Sequence, residues 1–197
     1  MREPVPLYRV QEAIYAFCRH RPDIVVFGAQ AVNLYSSQPR MTQDFDLLAP
    51  RPAELAAELA QALHDRLHIA ARVREIRPGV AYRIFQVRKD ANRHLADVRL
   101  ADFPIEPAVE RDGIRYVPPA LLVALKVCAL TRRRYAPKGA TDLADLRRLL
   151  LADRKLRTSG AVRKALGRIG ADEAALRTWD EILAAPVVAD EDIDEGY

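Results

Sequence analysis

The sequence is poor in the residues on which several protein classes depend. Its 197 residues include only two cysteines, Cys18 and Cys128, which lie far apart in apolar stretches. This spacing excludes a disulfide scaffold and the paired ligands of a zinc finger. Free cysteines without such pairing are typical of a reducing compartment, so we expect a cytoplasmic protein.

Long apolar runs are also missing. No segment approaches the roughly 20 consecutive apolar residues that a membrane-spanning helix needs. The first residues, Met1 to Pro6, carry charges and prolines where a signal peptide has an apolar segment. The sequence therefore predicts a soluble chain that is not exported and has no membrane partner.

Serine and glycine motifs of common enzyme classes are absent. Serine occurs only at Ser36, Ser37 and Ser159, and none of these lies in the Gly-x-Ser-x-Gly pattern of a nucleophile elbow. Neither a P-loop nor a Gly-x-Gly-x-x-Gly fingerprint occurs. Serine hydrolysis, Walker-type ATP hydrolysis and dinucleotide redox chemistry are therefore excluded.

The composition favours a folded chain with an uneven charge. Half of the residues are hydrophobic, and the net charge is +4. Acidic residues crowd the end of the chain, at Asp190, Glu191, Asp192, Asp194 and Glu195. The segment from Arg132 to Arg168 is rich in arginine and lysine, which indicates either a surface that attracts a polyanion such as RNA or a solvated helix face.

Apolar periodicity and turn residues predict an α+β protein. In the first part, helices are expected at 7–20, 29–35 and 52–67, and strands at 23–27, 43–48, 68–76, 82–89 and 95–100, followed by a hairpin-like stretch at 109–117. After Pro118-Pro119 the pattern is helical, at 120–134, 142–152, 159–169 and 172–183. We predict a core of residues 1–117, with a mixed sheet and flanking helices, and a helical bundle at 118–197 that ends in an acidic tail.

One stretch combines features suited to phosphate chemistry. Gly28 follows the β-prone run Asp23–Phe27 and precedes a helix. A glycine there lets the backbone approach a phosphate, which a helix N-terminus also attracts. In Gln43–Leu48 (QDFDLL), Asp44 and Asp46 occupy alternate strand positions, so both carboxylates face one side. Such a pair suits the magnesium ions that accompany a nucleoside triphosphate.

These residues resemble the DNA polymerase β-like nucleotidyltransferase superfamily. Its pattern is a glycine-led turn, an Asp-x-Asp strand and a later third aspartate, which Gly28, Asp44, Asp46 and Asp97 match. The resemblance implies a nucleotidyltransferase-fold mixed sheet and a two-metal site for Mg²⁺, with Mn²⁺ as the alternative ion. It implies that the three aspartates are metal ligands, or that the third takes the acceptor's proton. Ala29 follows the glycine where relatives usually have glycine or serine.

Residues from about 24 to 150 also resemble the AbiEii family of toxins, which includes the MenT nucleotidyltransferases. The matching segments, in order, are Arg40-Met-Thr42-Gln-Asp44-Phe-Asp46, Lys126, Arg132 or Arg134, and Asp142-Leu-Ala-Asp145-Leu. Thr141 stands where the family has a lysine. The resemblance implies that Gly28, Ala29, Arg40 and Thr42 bind the nucleotide, and that catalysis uses Asp44, Asp46, Asp97, Lys126 and Asp142.

The resemblance implies a metal-dependent nucleotidyltransferase that moves a nucleoside monophosphate from a nucleoside triphosphate to an acceptor hydroxyl. The AbiEii resemblance implies the toxin of a toxin–antitoxin pair, with an antitoxin as its partner and tRNA as one candidate acceptor. The alternative acceptors are a protein hydroxyl or a small molecule such as an aminoglycoside. A catalytically silent RNA-binding module with the same fold is the competing hypothesis.

Four of the site residues also have structural interpretations. Lys126 is either an edge lysine whose ammonium reaches water or a buried cation that faces carboxylates. Asp142 is either catalytic or the capping acid of its helix. Arg40 either binds triphosphate oxygens or, like Thr42, anchors its loop.

Overall fold

The computed structural model describes residues 5–103 and 105–188. They divide into two compact units. A sheet unit holds the chain up to Ala31 together with Met41–Val117, and a helical unit holds Val32–Arg40 and the chain from Pro118 onward. The predicted acidic tail, from Asp190 to Glu195, lies outside the described residues.

Helices and strands alternate along the first part of the chain. They are α1 (Leu7–Cys18), β1 (Val25–Phe27), α2 (Gly28–Tyr35), β2 (Phe45–Ala49), α3 (Pro52–Leu67), β3 (Ala71–Arg77), β4 (Ala81–Gln86), β5 (Arg93–Leu100), β6 (Val109–Arg111) and β7 (Ile114–Tyr116). Helix α3 begins with Pro52 at its first position, where a missing N–H group costs no hydrogen bond. It ends at His68, whose left-handed conformation closes the last turn.

The strands form one mixed sheet of seven strands, in the order β3-β4-β5-β2-β1-β7-β6. At its centre, β2 pairs antiparallel with β1 and parallel with β5. Phe45 and Leu47 on β2 are fully buried, whereas Asp46 between them is not. Helix α3 packs against β3, β4 and β5. Asp46 is the one partly exposed residue of β2, and Leu48, the next residue on its face, is buried, so polar groups meet β2 only near its start.

The helical unit contains α4 (Pro119–Arg133), α5 (Pro137–Ala152), α6 (Lys155–Thr158), α7 (Ala161–Arg168) and α8 (Glu173–Ala184). Helix α4 packs against α5, α7 and α8. Its side chains Leu121, Leu122 and Val123 are buried, which makes α4 the centre of this bundle. The prediction of an α+β fold with a mixed sheet and C-terminal helices is confirmed.

Two predicted helix boundaries were wrong. Helix α5 begins at Pro137, ahead of Asp142, because proline suits the first position of a helix. Asp142 therefore lies inside the helix and is not its capping acid. The helix predicted at 159–169 is α7, which begins at Ala161 because Gly160 before it takes a left-handed conformation (φ 69°). The short helix α6, at Lys155–Thr158, was not predicted.

Within residues 5–103 and 105–188, no helix combines the length and the apolar composition that crossing a membrane requires.

Candidate active site

Gly28 lies against the carboxylate of Asp46. The last residue of β1, Phe27, pairs with Asp46 across the antiparallel ladder, and Gly28 follows with a left-handed backbone (φ 65°). A Cβ atom at Gly28 would lie 2.0 Å from Asp46 Oδ2, far inside van der Waals contact. Only glycine therefore fits between the start of α2 and this carboxylate. Ala29, the next residue, is buried.

Three carboxylates share one face of the sheet. Asp46 on β2 and Asp97 on β5 are direct partners in the parallel ladder, and Asp44 precedes Asp46 by two residues. Since alternate residues of a strand point to the same side, all three belong to one face. Asp97 is the most enclosed, with 8% of its surface exposed. We call Asp44, Asp46 and Asp97 the carboxylate face.

Two cationic side chains hold Asp97. Arg83 on β4 donates from Nε to Asp97 Oδ1 (2.8 Å) and from Nη2 to Oδ2 (3.0 Å). His94 lies between two carboxylates, with Nε2 2.9 Å from Asp97 Oδ1 and Nδ1 3.0 Å from Asp44 Oδ2. Both ring nitrogens can donate only when the imidazole is protonated. The geometry therefore favours an imidazolium that bridges the two aspartates.

This pairing shifts the pKa values of all three groups. Burial opposes a charge on His94, but the hydrogen bonds with Asp44 and Asp97 outweigh it and raise the pKa of His94 to about 9. Burial likewise opposes ionisation of Asp97, and His94 and Arg83 nevertheless hold the pKa of that carboxyl below its usual range. The hydrogen bond with His94 is the main reason why the pKa of Asp44 is lowered. Both carboxylates are ionised at neutral pH.

A further cation borders Asp46. Arg99 Nη2 lies 3.5 Å from Asp46 Oδ1 and 3.7 Å from Asp97 Oδ2, and its guanidinium stands 5.3 Å from the centre of the Phe27 ring. These are longer contacts than those of Arg83, and they form the outer edge of the carboxylate face. Thr42 lies at the other end of this region, with its hydroxyl 3.4 Å from Asp44 Oδ1.

The donor set of the carboxylate face fits a hard divalent cation. Magnesium takes oxygen ligands, and carboxylates are its usual protein ligands. In the described ranges, however, no three acidic, histidine or cysteine side chains converge so that they could hold an ion as they stand. Arg83, His94 and Arg99 pair with the carboxylates instead. An ion at this face would therefore compete with these cations.

Lys126 and Asp142 belong to a buried ion-pair cluster in the helical unit. Lys126 Nζ lies 2.7 Å from Asp145 Oδ2 and 3.1 Å from Asp142 Oδ1, and both aspartates on α5 are almost completely enclosed. Of the two interpretations of Lys126, the structure shows the buried cation that faces carboxylates. Arg133 donates to the second oxygen of Asp142 at 2.6 Å.

Arg40 joins the same cluster from the loop before β2. It donates from Nε to Asp145 Oδ1 (2.7 Å) and from Nη2 to Oδ2 (3.0 Å). The Asn33 side chain holds the Arg40 backbone through bonds of 2.8 and 3.0 Å to its carbonyl and N–H. Burial opposes ionisation of Asp145, but Arg40 and Lys126 hold its pKa below the usual range. We call Arg40, Lys126, Asp142 and Asp145 the buried ion cluster.

The structure thus groups the predicted site residues into two sets. The sheet unit contains Gly28, Ala29, Thr42, Asp44, Asp46 and Asp97, and the helical unit contains Arg40, Lys126 and Asp142. Sequence reasoning missed the roles of Arg83, His94 and Asn33. His94 lies next to the run that contains Asp97, and this proximity was the only signal for it.

Comparison with known proteins shows similarity at the level of structure only. No family model matches the sequence. No curated protein matches it either.

Several solved structures share the fold. A Megavirus polyadenylate synthase is 17% identical with a TM-score of 0.58 over 74% of this chain, which spans 31% of that protein. The antibiotic-resistance factor ANT(2'')-Ia is 14% identical with a TM-score of 0.54, covering 88% of this chain and 94% of that one. JHP933 from Helicobacter pylori is 16% identical with a TM-score of 0.51, covering 93% and 91%. At such low identities the likeness establishes a nucleotidyltransferase fold.

Proposed function

We propose that the chain is a metal-dependent nucleotidyltransferase, which moves a nucleoside monophosphate from a nucleoside triphosphate to an acceptor hydroxyl. The observation that carries this proposal is the carboxylate face, where Asp46 and Asp97 pair across parallel strands and Asp44 joins them. The nucleotidyltransferase fold of the solved structures supports it.

The residues of the sheet unit have distinct parts in this chemistry. Asp44, Asp46 and Asp97 would hold Mg²⁺, which when bound supplies positive charge for the triphosphate and the leaving group. Gly28 leaves space beside Asp46, and the N-terminus of α2 attracts phosphate. The acceptor oxygen forms a bond to the α-phosphorus while the bond to the β-phosphate oxygen breaks. Pyrophosphate leaves, and the hydroxyl proton passes to a carboxylate or to water.

The residues of the buried ion cluster keep their predicted roles within the proposal. Lys126 and Arg40 would counter phosphate charge, and Asp142 would act with them, as the family resemblance implies. Their mutual contacts favour a positioning role, since the ammonium of Lys126 already lies between two carboxylates. Thr42 and Ala29 would contact the nucleotide.

For the acceptor and the biological role, the AbiEii resemblance supports a toxin that modifies tRNA and is neutralised by an antitoxin. Induced expression in a bacterial host would then arrest growth, and Asp46→Asn would abolish the arrest. Growth arrest that persists unchanged with Asp46→Asn would contradict this role.

A second candidate is a catalytically silent module that keeps the fold. The observation in its favour is that Arg83, His94 and Arg99 already compensate the carboxylates. In that case the carboxylate face is a structural ion-pair network, and the chain binds RNA without modifying it.

One assay separates the two candidates. Each α-³²P-labelled nucleoside triphosphate is incubated with the chain, total tRNA and Mg²⁺, and label in the acceptor is measured. Asp44→Asn should lower the rate of nucleotide transfer by at least roughly 100-fold, since charge neutralisation provides most of this catalysis. Asp90→Asn, an exposed aspartate of the same unit, is the matched control and should retain it.

The proposal fails if no acceptor is labelled by any of the four nucleotides in the presence of Mg²⁺ or Mn²⁺. Transfer that survives both EDTA and Asp44→Asn would also contradict it, because the carboxylate face would then have no catalytic part. A protein fraction or an aminoglycoside in place of tRNA tests the alternative acceptors in the same assay.

A further inference from the structure

A cleft of about 660 Å³ lies in the helical unit at the end of α4. Its lining comes from Thr131 to Ala136 and from four residues of α8, so both sides belong to one compact unit. Four of the lining residues are arginines and one is acidic; they are Arg132, Arg133, Arg134, Arg177 and Glu181. We call this the arginine cleft. Its size is within the range of small-molecule and nucleotide sites.

The four arginines differ in whether a carboxylate of the protein already pairs with the guanidinium. Arg133 is paired with Asp142, and Arg134 with Glu181. Arg132 is exposed and has no carboxylate within ion-pair distance among residues 5–103 and 105–188. Arg177 has only a long contact of 3.5 Å with the exposed Glu173. Two guanidinium groups are therefore available to bind phosphate, for which their planar geometry is suited.

An exposed aromatic ring completes the cleft. Tyr135 follows the last residues of α4 and is 97% exposed, the highest value among the large apolar side chains of the described ranges. The ring contributes no core packing, and the Tyr135 hydroxyl interacts with the guanidinium of Arg134 in the lining of the cleft. Aromatic rings beside arginines are the usual platform on which unpaired bases stack.

We infer that the arginine cleft binds a single-stranded nucleic acid, with a base stacked on Tyr135 and the adjoining phosphates on Arg132 and Arg177. A double-stranded segment would keep its bases inside the helix and could not use the ring. A simple anion would use the arginines and leave Tyr135 without a role. This inference rests on the proposed function only in naming the acceptor class, because binding is measurable without transfer.

The test is fluorescence anisotropy with a fluorescein-labelled RNA decamer of mixed sequence, in EDTA, on the full chain carrying Asp44→Asn. Tyr135→Ala should weaken binding about tenfold, because stacking of one base is worth about 1–3 kcal/mol. Tyr135→Phe, which keeps the ring, should bind like the parent. Arg132→Ala should weaken binding and lower the slope of log K against log [salt] by about 0.7, as loss of one phosphate contact requires.

Arg147→Ala is the matched control, since Arg147 is an exposed arginine of α5 outside the cleft. It should change affinity by less than roughly twofold. Equal weakening by Arg147→Ala and Arg132→Ala would overturn the inference, as would a Tyr135→Ala chain that binds like its parent. Competition by inorganic polyphosphate as strong as that by unlabelled decamer would also overturn it.

The result of the RNA-binding test does not depend on the result of the nucleotide-transfer assay. If no acceptor is ever labelled but Tyr135→Ala weakens binding, the proposed function fails and the arginine cleft stands. If the acceptor is labelled and the cleft variants bind RNA like the parent, the proposed function stands and the inference about the arginine cleft fails. The fluorescence of Trp179, the single tryptophan and a buried residue of the helical unit, confirms that each variant is folded.

Discussion

Gly28 shows how one residue type can fix the geometry of a site. Its left-handed backbone and its contact with Asp46 both exclude a side chain, but for different reasons. Gly79, in the turn after β3, has nearly the same conformation (φ 68°) with open space around it. A comparison of alanine substitutions at the two glycines therefore distinguishes the cost of a left-handed backbone from the cost of crowding the Asp46 carboxylate.

We predict that Gly28→Ala costs more stability than Gly79→Ala. Both substitutions incur about 1–2 kcal/mol for a left-handed alanine. Only the first also displaces the Asp46 carboxylate, and a displacement of about 1 Å can lower catalysis roughly 100-fold. Urea unfolding and the nucleotide-transfer assay measure the two effects. Equal stability losses, with transfer intact in Gly28→Ala, would contradict the crowding seen here.

At the residue scale, the sequence predicted the carboxylates better than their partners. The alternation in QDFDLL was sufficient to place Asp46 on a polar face. It could not reveal His94, because a residue three positions before Asp97 normally points to the opposite face of a strand. Ile84 on β4 pairs with Ala96 on β5, but the next residue, Phe85, pairs with His94, so Leu95 is an extra residue in β5. This irregularity turns His94 to the side of Asp97. Such an irregularity has no signature in composition.

The elements of the sheet unit followed closely from periodicity and turn residues. Helix α3 has the predicted bounds, and β5 differs from its prediction only at its start. The strand order could not be predicted, since β2 lies between β5 and β1, which are distant in sequence. Long-range pairing of this kind depends on tertiary packing and is not encoded in any local pattern.

The buried ion cluster connects α4, α5 and the loop before β2. Asp145 is fully enclosed, and the charged groups around it are Arg40, Lys126, Arg148 and, on its own helix, Asp142. Its pKa is lowered from an ordinary value of 3.8. A carboxyl whose pKa is lower in the folded chain binds protons more readily when unfolded. Its stabilising effect is therefore complete above about pH 4 and is lost as the pH falls further.

We predict that the stability difference between the parent chain and Asp145→Asn narrows with acidification. At pH 7 the variant should be less stable by several kcal/mol, about the 3–5 kcal/mol typical of a broken buried pair. Below about pH 4 the unfolded chain takes up a proton at Asp145 while the folded chain still keeps the carboxylate ionised, so the parent loses its advantage as the pH falls toward the lowered pKa of the folded state. Urea titrations followed by Trp179 fluorescence at a series of pH values measure this.

Asp153→Asn is the control for the pH series. Asp153 is exposed at the end of α5, so its replacement should leave both the stability and its pH dependence nearly unchanged. A constant difference between the parent and Asp145→Asn from pH 7 to pH 3 would show that Asp145 does not titrate as its partners require.

At the scale of the whole molecule, the two units do not correspond to two consecutive segments. The segment Val32–Arg40 groups with the helices after Pro118, although it lies between parts of the sheet unit in sequence. The boundary predicted at the prolines 118 and 119 marks a single change from mixed to helical patterning. It gives no sign that an earlier segment, Val32–Arg40, packs with the helices that follow. The returning segment is recognisable only from its contacts, such as the bonds of Arg40 with Asp145.

This arrangement predicts that residues 118–197 are less stable alone than within the full chain. Without Val32–Arg40, the enclosed carboxylate of Asp145 loses its bidentate partner and is left with Lys126 and the longer contact to Arg148. We expect the urea midpoint of Trp179 fluorescence to fall in the fragment. In the full chain, Arg40→Ala should produce part of the same fall, and Arg147→Ala, an exposed arginine of α5, should produce none. If the fragment unfolds at the midpoint of the full chain, the segment has no structural part in the helical unit, and the boundary at 118 is sufficient.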